Sequence, residues 1–176
     1  GTISGSTISY SSEYVFNSAN TELISVSALD STHFVVGYCD GGNSYYGTCV
    51  IGTISGSTIS YGSEYVFNSA STSYISVSAL DSTHFVVAYR DDGNSYYGTA
   101  IIGTISGSTI SYGSEYVFNS ASTNYISVSA LDSTHFVVGY QDYSNSSYGT
   151  AIIGTISGST ISYGSEYVFN SASTYY

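Results

Sequence analysis

The chain has 176 residues, of which 42% are hydrophobic, 16% aromatic and only 7% charged, and twelve acidic side chains face a single basic one, Arg90, for a net charge of −11. A molecule of that sign repels phosphate backbones and anionic membrane surfaces, so no nucleic-acid partner is expected. No apolar run approaches the roughly 20 residues of a spanning helix, so no membrane insertion is expected either. Pro, Met and Trp are absent while Tyr occurs 21 times and Gly 19 times; β-branched and aromatic runs with Gly punctuation predict an all-β protein.

Gly1, Gly52, Gly103 and Gly154 each open a copy of Gly-Thr-Ile-Ser-Gly-Ser-Thr-Ile-Ser-Tyr. They divide the chain into repeat 1 (1–51), repeat 2 (52–102), repeat 3 (103–153) and a partial repeat 4 (154–176), with no linker domain. Repeats 2 and 3 differ at 73/124, 88/139, 90/141, 92/143, 93/144 and 96/147, and all but the first lie around one loop.

In the middle copy, strand a is expected from about Tyr74 to Leu80, followed by the polar turn Asp81-Ser82-Thr83 and strand b from about His84 to Arg90. The loop from Asp91 to Tyr97 carries the Gly, Asn and Asp that suit positive φ and side-chain-closed turns. Strand c runs from about Gly98 to Ser106, Gly107-Ser108 turns it into strand d from about Thr109 to Phe118, and Asn119 to Thr123 link to the next strand a. Strand b places Phe85, Val87 and Tyr89 on one face and Val86 with Ala88 on the other; strand c sets Ala100 and Ile102 against Ile101 and Ile105. Antiparallel strands apolar on both faces predict sheets stacked face to face. Strand d alternates Ile110, Tyr112, Tyr116 and Phe118 with Ser111, Gly113 and Glu115, the pattern of an outer strand.

Four antiparallel strands in each repeat of about 51 residues predict a β-propeller-like array of four-stranded blades, with a parallel β-solenoid of two coils per repeat as the alternative. Three blades are fewer than the usual four to eight, and the first strands c and d lack an a–b partner. Gly1 opens the sequence without an initiator Met, so any signal peptide is expected to have been removed, and Ser173-Thr174-Tyr175-Tyr176 match Ser71-Thr72-Ser73-Tyr74, which run on into Ile75-Ser76-Val77-Ser78. The expectation is a segment of a longer array, or a subunit completed end to end by its neighbours.

Leu80 with its polar turn, Phe85-Val86-Val87-Ala88-Tyr89, the Asp91 to Tyr97 loop and Val117-Phe118-Asn119 together resemble the blade-like tandem repeats of large secreted bacterial β-propeller and adhesin-type proteins. Tyr89 departs from that pattern, which often has Trp there. The resemblance covers every complete repeat and implies a structural or adhesive role without specifying an activity.

Few residues carry chemistry. Cys39 and Cys49 occur in one copy only, where the others have Arg90 with Ala100 and Gln141 with Ala151. In a b–c hairpin centred near Ser44 they face each other, which predicts a disulfide worth about 2–3 kcal/mol and an oxidising, extracytoplasmic setting. His33, His84 and His135 are read as turn residues flanking strand b, since equivalent positions about 10 Å apart on successive sheets are too distant to share an ion. Asp40, Asp91, Asp92 and Asp142, with Asn43, Asn94 and Asn145, offer oxygens of the kind Ca²⁺ takes; Asx-turn closure is the competing role, and no other cofactor is expected.

Tyr45, Tyr46, Tyr96, Tyr97 and Tyr148 cluster on the b–c loop, either as glycan-stacking rings or as packing between layers. Asn145-Ser146-Ser147 is an N-glycosylation sequon. With no Lys, and every Ser, His and Asp candidate copied nearly unchanged in each repeat, no asymmetric catalytic constellation is expected. The reading is a non-enzymatic, extracellular or cell-surface structural or adhesive repeat protein, self-associating end to end or joined to further repeats, with a lectin-like module as the alternative.

Overall fold

The computed structural model describes residues 1–175, apart from the side chains of Thr2 and Ile3; Tyr176, the last residue of repeat 4, lies outside the described residues. The expected all-β class holds, and there is no α-helix among the described residues. Strands β1 (Thr2–Ser4) and β2 (Thr7–Ser9) form a hairpin of their own. Repeat 1 continues with β3 (Thr21–Ala28), β4 (His33–Asp40) and β5 (Tyr46–Ser55). Next come β6 (Thr58–Tyr61), β7 (Tyr65–Ala79), β8 (His84–Asp91) and β9 (Tyr97–Ser106). The set recurs as β10 (Thr109–Tyr112), β11 (Tyr116–Ala130), β12 (His135–Asp142) and β13 (Tyr148–Ser157), then β14 (Thr160–Tyr163) and β15 (Tyr167–Ser173).

Every strand pairing among the described residues is antiparallel, so the parallel coils of a β-solenoid are not what joins these repeats. The sheet follows an open path from β3 to β14, with β6, β10 and β15 paired at its side, and it does not close into a ring.

Two features depart from the sequence expectation. Strand d is split, because three residues, Gly113 to Glu115, stand between Tyr112 and Tyr116 where their partners Gly103 and Ala100 on β9 are separated by only two. This bulge has a use: Glu115 accepts the buried Tyr89 hydroxyl at 2.7 Å, as Glu64 accepts Tyr38 at 2.5 Å and Glu166 accepts Tyr140 at 2.6 Å. The expected link Asn119 to Thr123 is itself strand. β7 and β11 run unbroken from one repeat into the next, their first halves pairing with β5 and β9 and their second halves with β8 and β12.

That switch divides one continuous sheet into three stacked layers. Layer 1 holds β3 to β6 with the start of β7; layer 2 holds the end of β7, β8 to β10 and the start of β11; layer 3 holds the rest. Val35, Cys49 and Ile51 of layer 1 pack with Phe85, Val87 and Tyr89 of layer 2. Val86, Ala88 and Ile102, on the opposite face of layer 2, pack with Phe136, Val138 and Tyr140 of layer 3. Neighbouring residues Val86 and Val87 thus belong to different cores, as period-two alternation requires of a strand covered on both sides.

Serines join the layers. Ser25 and Ser27 Oγ accept from the Val77 and Ala79 N–H groups at 3.0 Å each, and Ser76 and Ser78 accept from Val128 and Ala130 at 3.0 and 2.9 Å. The free edge of strand a in β7 and in β11, otherwise a row of unpaired donors, is capped by the layer before it. Ser76→Ala or Ser78→Ala is expected to cost about 1–2 kcal/mol by orphaning an N–H. Ser127→Ala, at the same position in layer 3, is expected to leave a dilute urea transition unchanged, and equal losses at all three would refute the capping role.

Candidate functional site

The b–c loops gather at one end of the layers and hold most of the sequence candidates. Each begins at a buried carboxylate. Asp91 Oδ1 accepts from Asn68 Nδ2 at 3.1 Å and Gly93 N at 3.0 Å, Asp40 Oδ1 from Asn17 Nδ2 at 3.0 Å and Gly42 N at 2.9 Å, and Asp142 Oδ1 from Ser144 N and Oγ. These bonds close each loop on itself, and in the first two loops Asn17 and Asn68 also tie it to a neighbouring segment, whereas the Asp142 bonds stay within their own loop. Asp92 turns away from Asp91, taking Arg90 Nε at 2.6 Å and Ser73 Oγ at 2.8 Å. No group of three or more His, Cys, Asp or Glu side chains able to hold a metal occurs among the described residues.

Cys39 and Cys49 are free, buried thiols, which corrects the expected disulfide. The loop is centred on Asn43: Asp40 pairs with Tyr46, Cys39 therefore with Gly47, and Cys49 with Gly37. A 3-10 turn at Gly41–Asn43, with Ser44 and Tyr45 at φ of 56° and 61°, sets this register. The two cysteines become diagonal neighbours, a relation that holds Cβ atoms at roughly 7 Å, against the roughly 4 Å a disulfide needs. Burial pushes the Cys49 thiol up to about 12 and raises Cys39 as well. Both are expected to resist a thiol reagent at pH 8 until denaturant is added, then to react as two equivalents. A mass two hydrogens lighter without reductant would contradict this.

The tyrosines sort by environment. Tyr45 and Tyr96 are exposed at positive φ, whereas Tyr46, Tyr97 and Tyr148 are half-buried at the first positions of β5, β9 and β13. Arg90, the one guanidinium, lies 4.8 Å from the Tyr74 ring centroid and 5.1 Å from that of Tyr96. Tyr74, Tyr125 and Tyr175 form a row across the layers with centroids 5.3 and 5.9 Å apart. This row was missed from sequence, although Tyr74 and Tyr125 already stood in register one repeat apart.

The difference at 73/124, isolated in sequence, joins the others in space. Asn124 accepts from Arg90 Nη1 at 2.7 Å and donates to Gln141 at 3.1 Å, and Ser73 bonds Asp92. Ser73, Arg90, Asp92, Tyr96, Asn124 and Gln141, all at positions that vary between repeats 2 and 3, therefore form one contacting patch.

At the opposite end each a–b turn repeats one cap. The Asp30 carboxylate accepts from Thr32 N at 2.6 Å, Thr32 Oγ1 at 2.9 Å and His33 N at 2.8 Å, and lies 2.9 Å from His33 Nδ1. The Thr32 backbone N–H, first among these, holds Asp30 well below the usual carboxylate range, and the same bond from Thr134 holds Asp132 at about 2. Thr32 and Asp30 both engage the same ring nitrogen of His33, so the histidine does not bridge nucleophile and acid as a catalytic relay would. Asn145, the sequon residue, is exposed on its loop.

Fold and loops together define an all-β tandem-repeat protein whose polar groups chiefly close its own turns. Comparison with protein-family models and with curated proteins gives no match to the chain.

Proposed function

We propose that this is a non-enzymatic structural repeat protein of the extracellular or cell-surface space, whose blade-like, propeller-type layers continue from copy to copy as a filament or adhesive stalk, with glycan carried at Asn145. One observation carries the reading: the layers are joined by the same serine-to-backbone bonds and the same apolar contacts at each step, so stability resides between repeats and each step provides for another. The acidic surface and the loop carboxylates committed to turn closure support it. A lectin-like role is the second reading, supported by the exposed Tyr45 and Tyr96 rings, the latter stacked on Arg90.

Electron microscopy of the native material, with intact mass on the same sample, tests both. Filaments and a glycan mass at Asn145 are expected. Discrete closed rings would replace the filament by a propeller, and glycan-array binding lost in Tyr96→Ala would favour the lectin.

A further inference from the structure

We propose that the two ends of the array are the two halves of one head-to-tail interface, in which the C-terminal layer of one copy seats the N-terminal edge strand of a second copy of this chain. This rests on the structural reading above and specifies its contact.

The chain already uses the interface twice. Ile75 and Val77 on β7 are only 7% and 6% exposed because they lie against layer 1 beside Gly37, where an added Cβ would meet Ile75 Cγ2 at 3.4 Å and Val77 Cβ at 3.8 Å. Ile126 and Val128 on β11 are likewise buried against layer 2, where Ala88 takes the place of Gly37. Ile24 and Val26, their counterparts on the edge strand β3, are 56% and 62% exposed.

The far end shows the matching vacancy in shape. Gly139 stands where Gly37 does, and a Cβ there would meet nothing within 4 Å. It opens a depression of about 200 Å³ walled by Tyr125, Tyr140, Gln141 and Phe169. Phe169 is 65% exposed although its counterparts Phe67 and Phe118 are each at 6%. Ser127 and Ser129 occupy the positions from which Ser76 and Ser78 cap the next strand a, ready for the Val26 and Ala28 N–H groups of a second copy.

Docking includes an exchange. Phe16 packs on Tyr38 with centroids 5.1 Å apart, as Phe67 does on Tyr89 at 5.0 Å and Phe118 on Tyr140 at 5.1 Å. In a continued array the ring over Tyr38 comes from the strand paired with the preceding β13, which is β15 with Phe169. Residues 1–23 and 154–176 differ only at 11/164, 20/173, 22/175 and 23/176, so either segment suits the position. β15 holds a ladder on β13, whereas residues 10–20 hold none, so residues 10–20 of the incoming copy leave and Phe169 replaces Phe16. One aromatic contact is traded for an equal one, and burial of Ile24, Val26 and Phe169 is the net gain. Because the two surfaces differ, the contact is heterologous and propagates.

The test uses the full chain with Gly139→Phe, which fills the seat, and Val26→Arg, which alters the edge strand; both positions are open, so circular dichroism melts should match the parent in dilute solution. Sedimentation velocity is expected to show the parent growing with concentration and each variant alone remaining monomeric. An equimolar mixture is expected to yield heterodimers and nothing longer, since it pairs one intact seat with one intact edge. Growth of both variants like the parent would overturn this interface while leaving the filament reading in place. A parent that stays monomeric to about 0.1 mM, beyond the range of standard interfaces, would overturn self-association itself and assign the seat to further repeats of one polypeptide.

Discussion

Raising the pH above about 10 is expected to unfold the protein in one steep step, with tyrosinate absorbance appearing together with the loss of far-ultraviolet signal. Tyr38, Tyr89 and Tyr140 are fully or almost fully buried, and burial first, then the bond to Glu64, Glu115 or Glu166, holds each phenol protonated far above its ordinary range. The sign follows from which state gives up protons. Below about pH 10 both states keep them; above it the unfolded chain ionises and the folded one does not, so each further pH unit favours unfolding. Each such tyrosine contributes about 1.4 kcal/mol per pH unit, so the three contribute about 4, against a total stability of about 5–15 kcal/mol. Complete unfolding is therefore expected within about one to four pH units above 10. Tyr89→Phe should shift the transition upward and make it shallower. Gradual tyrosinate formation near pH 10 with the fold intact would show that these hydroxyls are accessible after all.

Placing a single methyl group at Gly103 is expected to destabilise the protein about as severely as a core truncation. Phe85 and Gly103 are directly paired across β8 and β9, and the Phe85 ring lies over the glycine, where an alanine Cβ would meet ring carbons at 2.2 to 2.7 Å. Phe85 is fully buried and enclosed by the core between layers 1 and 2, so the ring has little room to yield. Gly103→Ala should cost about 1–3 kcal/mol or more, and Phe85→Ala about 3–5. In the double variant the clash disappears with the ring, so the combined loss should fall well short of the sum. Gly52→Ala should be milder, because Phe34, its ring partner, lies in the outermost layer and is only half-buried. Additive losses, or equal losses at Gly52 and Gly103, would mean that the ring-on-glycine contact is not what these positions require.

Much of the local structure was legible before any coordinates. Strand b falls within one residue of its expected limits, strand c likewise, and the Asp81 turn and Gly107-Ser108 hairpin stand where their residue types place them. The alternation in Phe85 to Tyr89 correctly implied two covered faces. What failed was register. A hairpin loop one residue off centre moved Cys39 and Cys49 from opposed to diagonal, and nothing in the two cysteines themselves signals that. The Asn119 to Thr123 stretch, rich in turn formers, is held as strand by ladders to two layers at once, so tertiary pairing overrides its local preference.

The candidate site divides the same way. The Asx turns at the loop carboxylates were readable from Asp and Asn beside Gly, because those bonds span two residues, whereas the burial of the carboxylates was not. The stacking of Arg90 between Tyr74 and Tyr96, and the contact that brings 73/124 to the variable loop, join segments separated along the chain and had no local signature.

By itself the sequence determined the all-β class, the 51-residue period, the limits of strands b and c, and the burial of both faces, since each follows from short-range alternation and turn chemistry. Only the tertiary structure decided that the antiparallel sheet stays open, that β7 and β11 pass from one layer to the next, and that the thiols stay apart. Those outcomes depend on which distant backbone donors meet which acceptors, and a one-residue shift in that match changes every side-chain neighbour while leaving the local pattern untouched.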